Sequence, residues 1–207
     1  MTRIVAGTLG GRRIATPAGV DTRPSSDRVR EALFSTLETL VDLEGCRFLD
    51  LYAGSGAVGL EAASRGAAAV LLIESDARAA KTVRANIAAL ALGDRCRLLV
   101  ARLPAALAAG PGAVGSGYDV VFADPPYAVP GTEIDELLRG LAGRGWLRPD
   151  AVVVVERSAR SEPPVPVEGV TLLRSRRYGE SVLWYLRRGQ PTEDPQSSGA
   201  GEEEGVR

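Results

Sequence analysis

From residue 46 onward, short apolar segments of strand length alternate with longer segments that have the periodicity of a helix. Strands are predicted at residues 46–51, 69–74, 97–101, 118–123 and 151–156. Helices are predicted at residues 58–65, 77–92 and 133–144, with a short helical segment near 104–109, and a final hairpin is predicted at 170–176 and 182–187. This alternation predicts an α/β, Rossmann-like fold: a mostly parallel seven-stranded sheet with helices on both faces and a C-terminal antiparallel hairpin.

The residues that precede this pattern differ from it in charge. Residues 1–22 predict a short β-hairpin, and the segment that follows predicts an amphipathic helix of about four turns. Residues 1–30 hold six arginines against two acids. We expect residues 1–40 to be an RNA-binding extension, because planar guanidinium groups suit contacts with phosphates. The candidate RNA-binding residues are Arg12, Arg13, Arg23 and Arg28.

The rest of the chain divides into a main domain and a tail. Residues 41–188 contain the whole alternating pattern, and the extension is expected to dock on them. Residues 189–207 are rich in Gly, Pro, Ser, Gln and Glu and predict a disordered acidic tail. No apolar run reaches the roughly 18 residues of a membrane span. A cytoplasmic protein that contacts no membrane is therefore expected, and a monomer is expected as well.

The amino-acid composition limits the chemistry that the chain can perform. The sequence contains no histidine and two cysteines, Cys46 and Cys96, and of its 25 basic residues only Lys81 is not arginine. Catalytic Ser-His-Asp and Cys-His groups are excluded, and no metal site is expected. Both cysteines lie in or beside predicted strands and should be buried free thiols. The excess of arginine outside the N-terminal segment is interpreted as compositional bias. Chemistry must depend on carboxylates, arginines, hydroxyls, backbone groups and a cofactor.

A glycine-rich turn joins the first predicted strand of the main domain to its helix; it is called the Gly loop below (residues 50–59, Asp-Leu-Tyr-Ala-Gly-Ser-Gly-Ala-Val-Gly). Its glycines permit a tight turn and the close approach of a ligand, and Glu74, at the end of the next strand, can hold ribose hydroxyls. Both features also occur in NAD-binding enzymes. An acid close to the loop is unfavourable for a bound pyrophosphate. Asp50 instead suits a cofactor that carries an ammonium and a sulfonium group, which Asp50 could orient through the loop backbone or a water. S-adenosylmethionine is the predicted cofactor. The candidate cofactor-binding residues are Asp50, Tyr52, Ala53, Gly54, Ser55, Gly56, Glu74, Ser75 and Asp124.

The apolar strand at residues 118–123 ends in Asp124-Pro-Pro-Tyr127, which is called the lip below. Proline fixes its own φ and disfavours helical backbone at the preceding residue, so the lip should be stiff and extended. It should lie at the carboxyl end of its strand, where open α/β sheets bind ligands. A carboxylate, a carbonyl and an aromatic face together suit an amino group on a flat ring. The candidate catalytic residues are Asp124, Pro125 and Tyr127.

The Gly loop together with the lip resembles the amino-methylating class of S-adenosylmethionine-dependent methyltransferases. The N-terminal segments Arg3-Ile-Val-Ala-Gly and Arg23-Pro-Ser-Ser-Asp-Arg-Val-Arg-Glu-Ala-Leu-Phe34 resemble the RsmD family, the bacterial 16S rRNA guanine-N2 methyltransferases. The similarity covers about residues 2–187. It implies a class I methyltransferase fold, S-adenosylmethionine as cofactor, and 16S rRNA or a small ribosomal subunit, including an assembly intermediate, as partner. Enzymes of this class often place Asp or Asn near the adenine of the cofactor, whereas this chain has Ala101-Arg102-Leu103 there. Backbone atoms are therefore expected to hold the adenine.

The lip suggests a mechanism. If Asp124 and the carbonyl of Pro125 each accept one amino hydrogen, the nitrogen can pyramidalise and direct its lone pair at the methyl carbon. Tyr127 would stack on the target base, which must leave its helix or loop to reach the site. The same lip serves adenine-N6 methyltransferases of RNA or DNA and glutamine-N5 methyltransferases of protein. A non-catalytic RNA-binding assembly protein with a retained cofactor fold is a further alternative. The intact Gly loop and lip favour an enzyme.

Overall fold

The computed structural model describes residues 2–17, 27–111 and 117–189. Its strands are β1 (Thr2–Arg3), β2 (Arg13–Ile14), β3 (Arg47–Leu51), β4 (Ala69–Glu74), β5 (Cys96–Val100), β6 (Tyr118–Ala123), β7 (Leu147–Ser158), β8 (Val170–Tyr178) and β9 (Ser181–Arg188). Its α-helices are α1 (Asp27–Leu37), α2 (Ala57–Ser64), α3 (Ala77–Ala89) and α4 (Gly131–Gly143). Single turns of 3₁₀ helix lie at Gly7–Leu9 and Ala105–Leu107.

The seven longer strands form one sheet in the order β5-β4-β3-β6-β7-β9-β8. The strands from β5 to β7 pair in parallel, whereas β9 pairs antiparallel with both β7 and β8. The chain order reverses direction between β3 and β6, which lie side by side. The predicted mostly parallel seven-stranded sheet with a terminal antiparallel hairpin is therefore confirmed.

Alternation of side chains along the central strands divides the core into two layers. On one face, Phe48 of β3 and Val120 of β6 pack with apolar side chains of α1, α2 and α3. On the other face, Leu49 and Val121 pack with apolar side chains of α4. Burial on both faces explains why these strands read as continuous apolar runs rather than as an alternating pattern.

The N-terminal hairpin is shorter than predicted, with two residues in each strand, and it packs in the same apolar cluster as α1, α2 and α3. Buried polar side chains of the main sheet's helices hold it in place. Glu61 of α2 accepts hydrogen bonds from the backbone N–H groups of Val5 (2.6 Å) and Ala6 (2.9 Å). Asn86 of α3 accepts from the N–H of Ala15 (2.9 Å). A two-stranded hairpin has little stability of its own, so these contacts determine its position.

Several boundaries differ from the predicted ones because long-range pairing extends or truncates the local pattern. Strand β7 continues beyond its apolar centre because its end pairs with β9, where Ser158 lies opposite Ser181. The helical segment predicted near 104–109 is a single 3₁₀ turn. The candidate RNA-binding residue Arg23 and the predicted tail beyond residue 189 lie outside the described residues. In the described part of the chain, no helix is both long and apolar enough to cross a membrane.

Candidate active site

The Gly loop and the lip follow neighbouring parallel strands and therefore lie side by side. Leu51 at the end of β3 is level with Ala123 at the end of β6. The next residue, Asp124, directs its backbone N–H at the carbonyl of Leu51, at 3.5 Å. Because β3 and β6 flank the point where the strand order reverses, the cleft between them is the expected ligand position of an open α/β sheet. The structure thus brings together the two motifs that the sequence predicts to share a site.

The Gly loop has a backbone that restricts its side chains. Tyr52 has a left-handed φ of 59°, an uncommon conformation for a bulky residue, and Gly56 has a φ of 80° at the start of α2. A Cβ at Gly56 would lie 3.1 Å from Leu72 Cδ2. A Cβ at Gly54 (φ 58°) would instead point into open space, with the carbonyl oxygen of Tyr52 as its nearest neighbour at 3.9 Å. Glycine at this position leaves room for a ligand against the backbone.

Glu74 ties the Gly loop to the end of β4. One of its carboxylate oxygens accepts the backbone N–H of Gly54 (2.8 Å), and the other accepts the N–H of Asp76 (2.8 Å). Asp76 in turn caps α3 by accepting N–H groups of that helix. Each Glu74 oxygen retains a lone pair for a further donor, and the side chain is only partly buried. Ribose hydroxyls fit this position, and Ser75 beside it is exposed.

Asp50 lies inside the protein and does not face the cleft directly. Its side chain is 2 % exposed, and Oδ2 accepts the backbone N–H of Gly59 at 2.8 Å. Burial raises the pKa of Asp50 to about 7, against the lowering effect of the Gly59 hydrogen bond, and the charge of Glu74 raises it further. Any influence of Asp50 on a cofactor therefore passes through the Gly loop and the start of α2, as the sequence interpretation allows.

Replacement of Asp50 with asparagine should flatten the dependence of stability on pH. Because the pKa of Asp50 is raised above 3.8, the folded state holds this proton more tightly than the unfolded state. The free energy of unfolding should therefore fall as pH rises from about 4 to 7, by on the order of a few kcal/mol from this group. Urea denaturation at several pH values measures the slope for both proteins. Equal slopes for Asp50→Asn and wild type would contradict the assignment.

The lip ends in a tight turn that presents its aromatic residue to solvent. The carbonyl of Pro126 accepts the N–H of Val129 at 2.9 Å, so Tyr127 occupies a corner of a β-turn and is 60 % exposed. Arg157 of β7 braces this turn by donating from Nη2 to the carbonyl of Val129 at 2.9 Å. Among the described residues, no hydrogen bond is donated to the carbonyl of Pro125. Pro125 is buried, and its carbonyl keeps unused accepting capacity on the inner side of the lip.

Asp124 is level with Glu156 of the neighbouring strand β7, and Asp50 of β3 lies two residues further back along the sheet. Burial raises the pKa of the Asp124 carboxyl well above the ordinary value, and the charges of Glu156 on β7 and Asp50 on β3 raise it further. No hydrogen bond joins its carboxylate to another described residue. Asp124 is therefore a carboxylate with spare accepting capacity and an increased affinity for a proton. A ligand that brings hydrogen-bond donors or positive charge would favour its ionised form.

Sequence reasoning missed Arg157, which braces the turn of the lip from β7, and Glu156, whose charge raises the pKa of Asp124. A signal was present, because a charged pair directly follows four buried valines, residues 152–155. Charged residues that end a fully buried strand are seldom buried without a partner. Glu156 is 7 % exposed and Arg157 is 8 % exposed.

The described candidate RNA-binding arginines lie at the surface of the N-terminal segment. Arg13 is exposed in β2, and Arg28 is exposed in the first turn of α1. Arg12 is exposed as well, but its Nη2 also lies 3.4 Å from the carbonyl of Ala89, the last residue of α3. A positive charge is favourable at a helix C-terminus, so Arg12 has a structural partner in addition to any RNA contact.

The two cysteines are buried and free, as the sequence predicts. Cys46 and Cys96 are buried free thiols, and burial raises the pKa of each to about 12. They remain protonated at neutral pH, which argues against a cysteine nucleophile of the kind that cytosine-C5 methylation needs. Residues 2–17, 27–111 and 117–189 contain no group of acids and cysteines that could hold a metal ion.

Comparison with known proteins identifies the family. The family described as Conserved hypothetical protein 95 matches residues 2–187. The chain belongs to this family. Ribosomal RNA small subunit methyltransferase D of Escherichia coli K12 is 34% identical over 193 residues, which make up 93% of this chain and 93% of that protein. The Haemophilus influenzae protein of the same name is 32% identical over 86% of this chain and 89% of that protein. The resemblance to the RsmD family is confirmed.

Solved structures agree with the fold of this family member. The Escherichia coli protein YhhF has a TM-score of 0.77 at 32% identity, with 91% of this chain and 98% of that chain covered. A hypothetical protein of Thermus thermophilus has a TM-score of 0.74 at 32% identity, with 89% and 98% covered. The Rossmann-like class I methyltransferase fold predicted from the sequence is confirmed.

Proposed function

We propose that this protein transfers a methyl group from S-adenosylmethionine to the exocyclic N2 amino group of a guanine in 16S rRNA of the small ribosomal subunit. The observation that carries the proposal is the lip, with a carboxylate of spare accepting capacity at Asp124, beside the Gly loop. The extensive similarity to relatives named ribosomal RNA small subunit methyltransferase D supports RNA as the substrate. The protein acts as a cytoplasmic monomer on naked rRNA or on an assembly intermediate.

The residues around the Gly loop fit the cofactor. Glu74 binds the ribose hydroxyls, while the open space at Gly54 and the backbone from Tyr52 to Gly56 receive the methionine end. Asp50 orients this backbone from behind through its contact with Gly59. When bound, S-adenosylmethionine supplies a methyl group on a positively charged sulfur. Backbone atoms near Ala101 hold the adenine, since the Arg102 side chain is exposed.

The lip activates the guanine amino group. Its nitrogen lone pair is delocalised into the ring, so the free group is a weak nucleophile. Asp124 and the carbonyl of Pro125 each accept one amino hydrogen, which favours a pyramidal nitrogen with its lone pair directed at the methyl carbon. After transfer the nitrogen must lose a proton, and the raised pKa of Asp124 suits this carboxylate to accept it.

Identification of the methylated nucleoside tests this function. Purified protein, S-adenosylmethionine and unmodified 16S rRNA, naked or in small subunits, are incubated, and the nucleosides are analysed by mass spectrometry. N2-methylguanosine is expected. N6-methyladenosine would instead support the adenine-specific alternative, and the absence of any methylated nucleoside with both substrates would support a non-catalytic RNA-binding protein.

Substitution of Tyr127 tests stacking on the target base. Base–aromatic stacking contributes about 1–3 kcal/mol, so Tyr127→Ala should lower kcat/KM for RNA by about tenfold or more. Tyr127→Phe retains the ring and should cost little. Steady-state kinetics with varied RNA concentration measure both variants, and binding of S-adenosylmethionine by calorimetry is the control. Equal losses in the two variants would contradict stacking and indicate a role for the hydroxyl.

A further inference from the structure

The C-terminal hairpin carries a concentration of positive charge that the composition does not explain. Residues 170–188 contain five arginines and one acid, Glu180. Three arginines are exposed at the hairpin's turn or beside it: Arg160, Arg176 and Arg177. A general preference for arginine over lysine accounts for the residue type but not for this clustering at one end of the sheet.

The sheet register places this cluster level with the lip. Ala123 of β6 lies opposite Val155 of β7, so Asp124 is level with Glu156. Glu156 lies opposite Leu183 of β9, which in turn lies opposite Arg176 of β8. Arg176 is therefore three strands from Asp124 in the same row, a separation of about 15 Å at the usual strand spacing.

The turn of the hairpin lies against the segment that follows β7. The N–H of Ala159 donates to the carbonyl of Glu180 at 2.8 Å, and Arg160 Nη2 lies 3.4 Å from Glu180 Oε2. Arg177 follows Arg176 towards this turn and bonds through Nε to the carbonyl of Gly179. All three guanidinium groups thus belong to the catalytic edge of the sheet, defined as the edge that carries the carboxyl ends of β3, β6 and β7.

The three arginines retain capacity for an additional partner. No hydrogen bond or ion pair joins Arg176 to another described residue. The side chain of Arg160 is 86% exposed, and its contact with Glu180 at 3.4 Å is of the exposed kind that contributes little stability. Consecutive strand residues point to opposite faces, so Arg176 and Arg177 present guanidinium N–H groups on the two sides of this edge, where the repeated phosphates of a nucleic-acid backbone can bind them.

A cavity lies between the turn of the lip and the segment that follows Arg160. It has a volume of about 470 Å³ and lies between the turn at residues 127–130 and the segment 161–165, which directly follows Arg160. Tyr127 and Pro163 contribute to its walls. Asp135 and Glu162 also line it and none of the three arginines does, so the cavity itself is not the phosphate site.

From this register and charge we propose that Arg160, Arg176 and Arg177 bind the phosphates of the RNA strand next to the target base. This inference rests on the proposed RNA methyltransferase function. The surface holds the flanking strand by charge and does not contact the reacting atoms. It lies at the β8 end of the sheet, whereas the N-terminal hairpin packs against α2 and α3.

The salt dependence of RNA binding tests the surface. Each phosphate contact contributes about 0.7 to 0.9 to the magnitude of the slope of log binding constant against log salt concentration. In a variant with Arg160→Ala, Arg176→Ala and Arg177→Ala, the magnitude of this slope should therefore fall by about 2 to 3. Between 50 and 200 mM salt, the affinity of wild type should then fall about twenty- to fortyfold more than that of the variant. KM for RNA should rise at fixed salt, while kcat and cofactor binding stay unchanged.

A second triple variant, Arg95→Ala, Arg97→Ala and Arg144→Ala, is the matched control. These arginines are also exposed, but they lie at the opposite edge of the sheet, near the start of β5 and the end of α4. The control should retain the wild-type slope. Equal slopes in wild type and the first variant would overturn the proposal. Arg176 and Arg177 would then be interpreted as charges that keep the edge strand β8 from pairing with another chain. Equal flattening in both variants would overturn it in favour of non-specific charge.

The two proposals fail in different ways in this experiment. Binding is measured by fluorescence anisotropy with a guanine-containing RNA hairpin, independently of methyl transfer. If wild type binds the RNA with a steep slope and the variant flattens it, the surface stands even where no methylated product forms. If wild type methylates RNA but the slopes are equal, the surface is wrong and the proposed function stands.

Discussion

Replacement of Asp124 with alanine should lower the rate of methyl transfer to RNA by about two orders of magnitude or more, with cofactor binding retained. Removal of one positioned polar group that stabilises a transition state typically costs this much. The alanine variant retains the carbonyl of Pro125 but loses the second acceptor and the acceptor of the released proton. Because the half-buried side chain has no hydrogen bond to another described residue, the loss should not disturb the fold.

Single-turnover kinetics with saturating RNA, together with calorimetric titration of S-adenosylmethionine, separate the chemical step from binding. Asp119→Ala is the matched control, because Asp119 lies near the start of the same strand and accepts the N–H of Arg47 at 2.7 Å. Loss of that bond should lower stability but leave the single-turnover rate near that of wild type. An Asp124→Ala variant with a near-normal rate would exclude the mechanism. In wild type, kcat/KM for RNA, which reports the unliganded enzyme, should fall at acid pH with a midpoint above the ordinary pKa of aspartate, because the pKa of Asp124 is raised in that state.

The sequence predicted the relation between the Gly loop and the lip because both motifs depend on local chemistry and on one topological rule. Glycines at a strand–helix turn and prolines at a strand end restrict the backbone wherever they occur. The parallel sheet then places both at one edge, and the pairing of Leu51 with Ala123 confirms this. The roles of individual residues in binding and catalysis remain predictions.

The contacts that the sequence did not predict are made between residues far apart in the chain. Arg157 reaches the carbonyl of Val129, and Arg176 becomes level with Asp124 only through the register of three intervening pairs of strands. A one-residue change in register would move each of these side chains to the other face of the sheet. Local periodicity does not determine the register between strands that are distant in the chain, so these positions required the structure.

Glu61 had a recognisable signal in the sequence, because it is the one charged residue in α2, Ala57–Ser64. A helix that is apolar on every side is buried, and a charge inside it needs a partner. The structure shows that the partners are the N–H groups of Val5 and Ala6 and the guanidinium of Arg65, at 2.9 Å. The position of the N-terminal hairpin, with Arg12 and Arg13, therefore depends on a carboxylate in the main sheet's helices.

Replacement of Glu61 with alanine should consequently lower the free energy of unfolding by about 3–5 kcal/mol, the cost of removing one partner of a buried ion pair. Two backbone N–H groups and Arg65 would lose their acceptor inside the protein, where Glu61 has no exposed surface. Urea denaturation measures the loss, and faster hydrogen exchange at Val5 and Ala6 would report release of the hairpin.

Glu38→Ala is the matched control for Glu61→Ala, because it removes the other carboxylate paired with Arg65, at 2.7 Å, from a side chain that is 51% exposed. An exposed pair of this kind contributes about 0–1 kcal/mol, so this variant should keep both its stability and its hairpin protection. If the two variants lost equal stability, the contribution would come from neutralising Arg65 and not from holding the hairpin. If Glu61→Ala alone speeds exchange at Val5 and Ala6, the N-terminal arginines are positioned through α2. RNA affinity should then fall in that variant without a change in cofactor affinity, because the side chains of Asp50 and Glu74, and not that of Glu61, hold the backbone of the Gly loop.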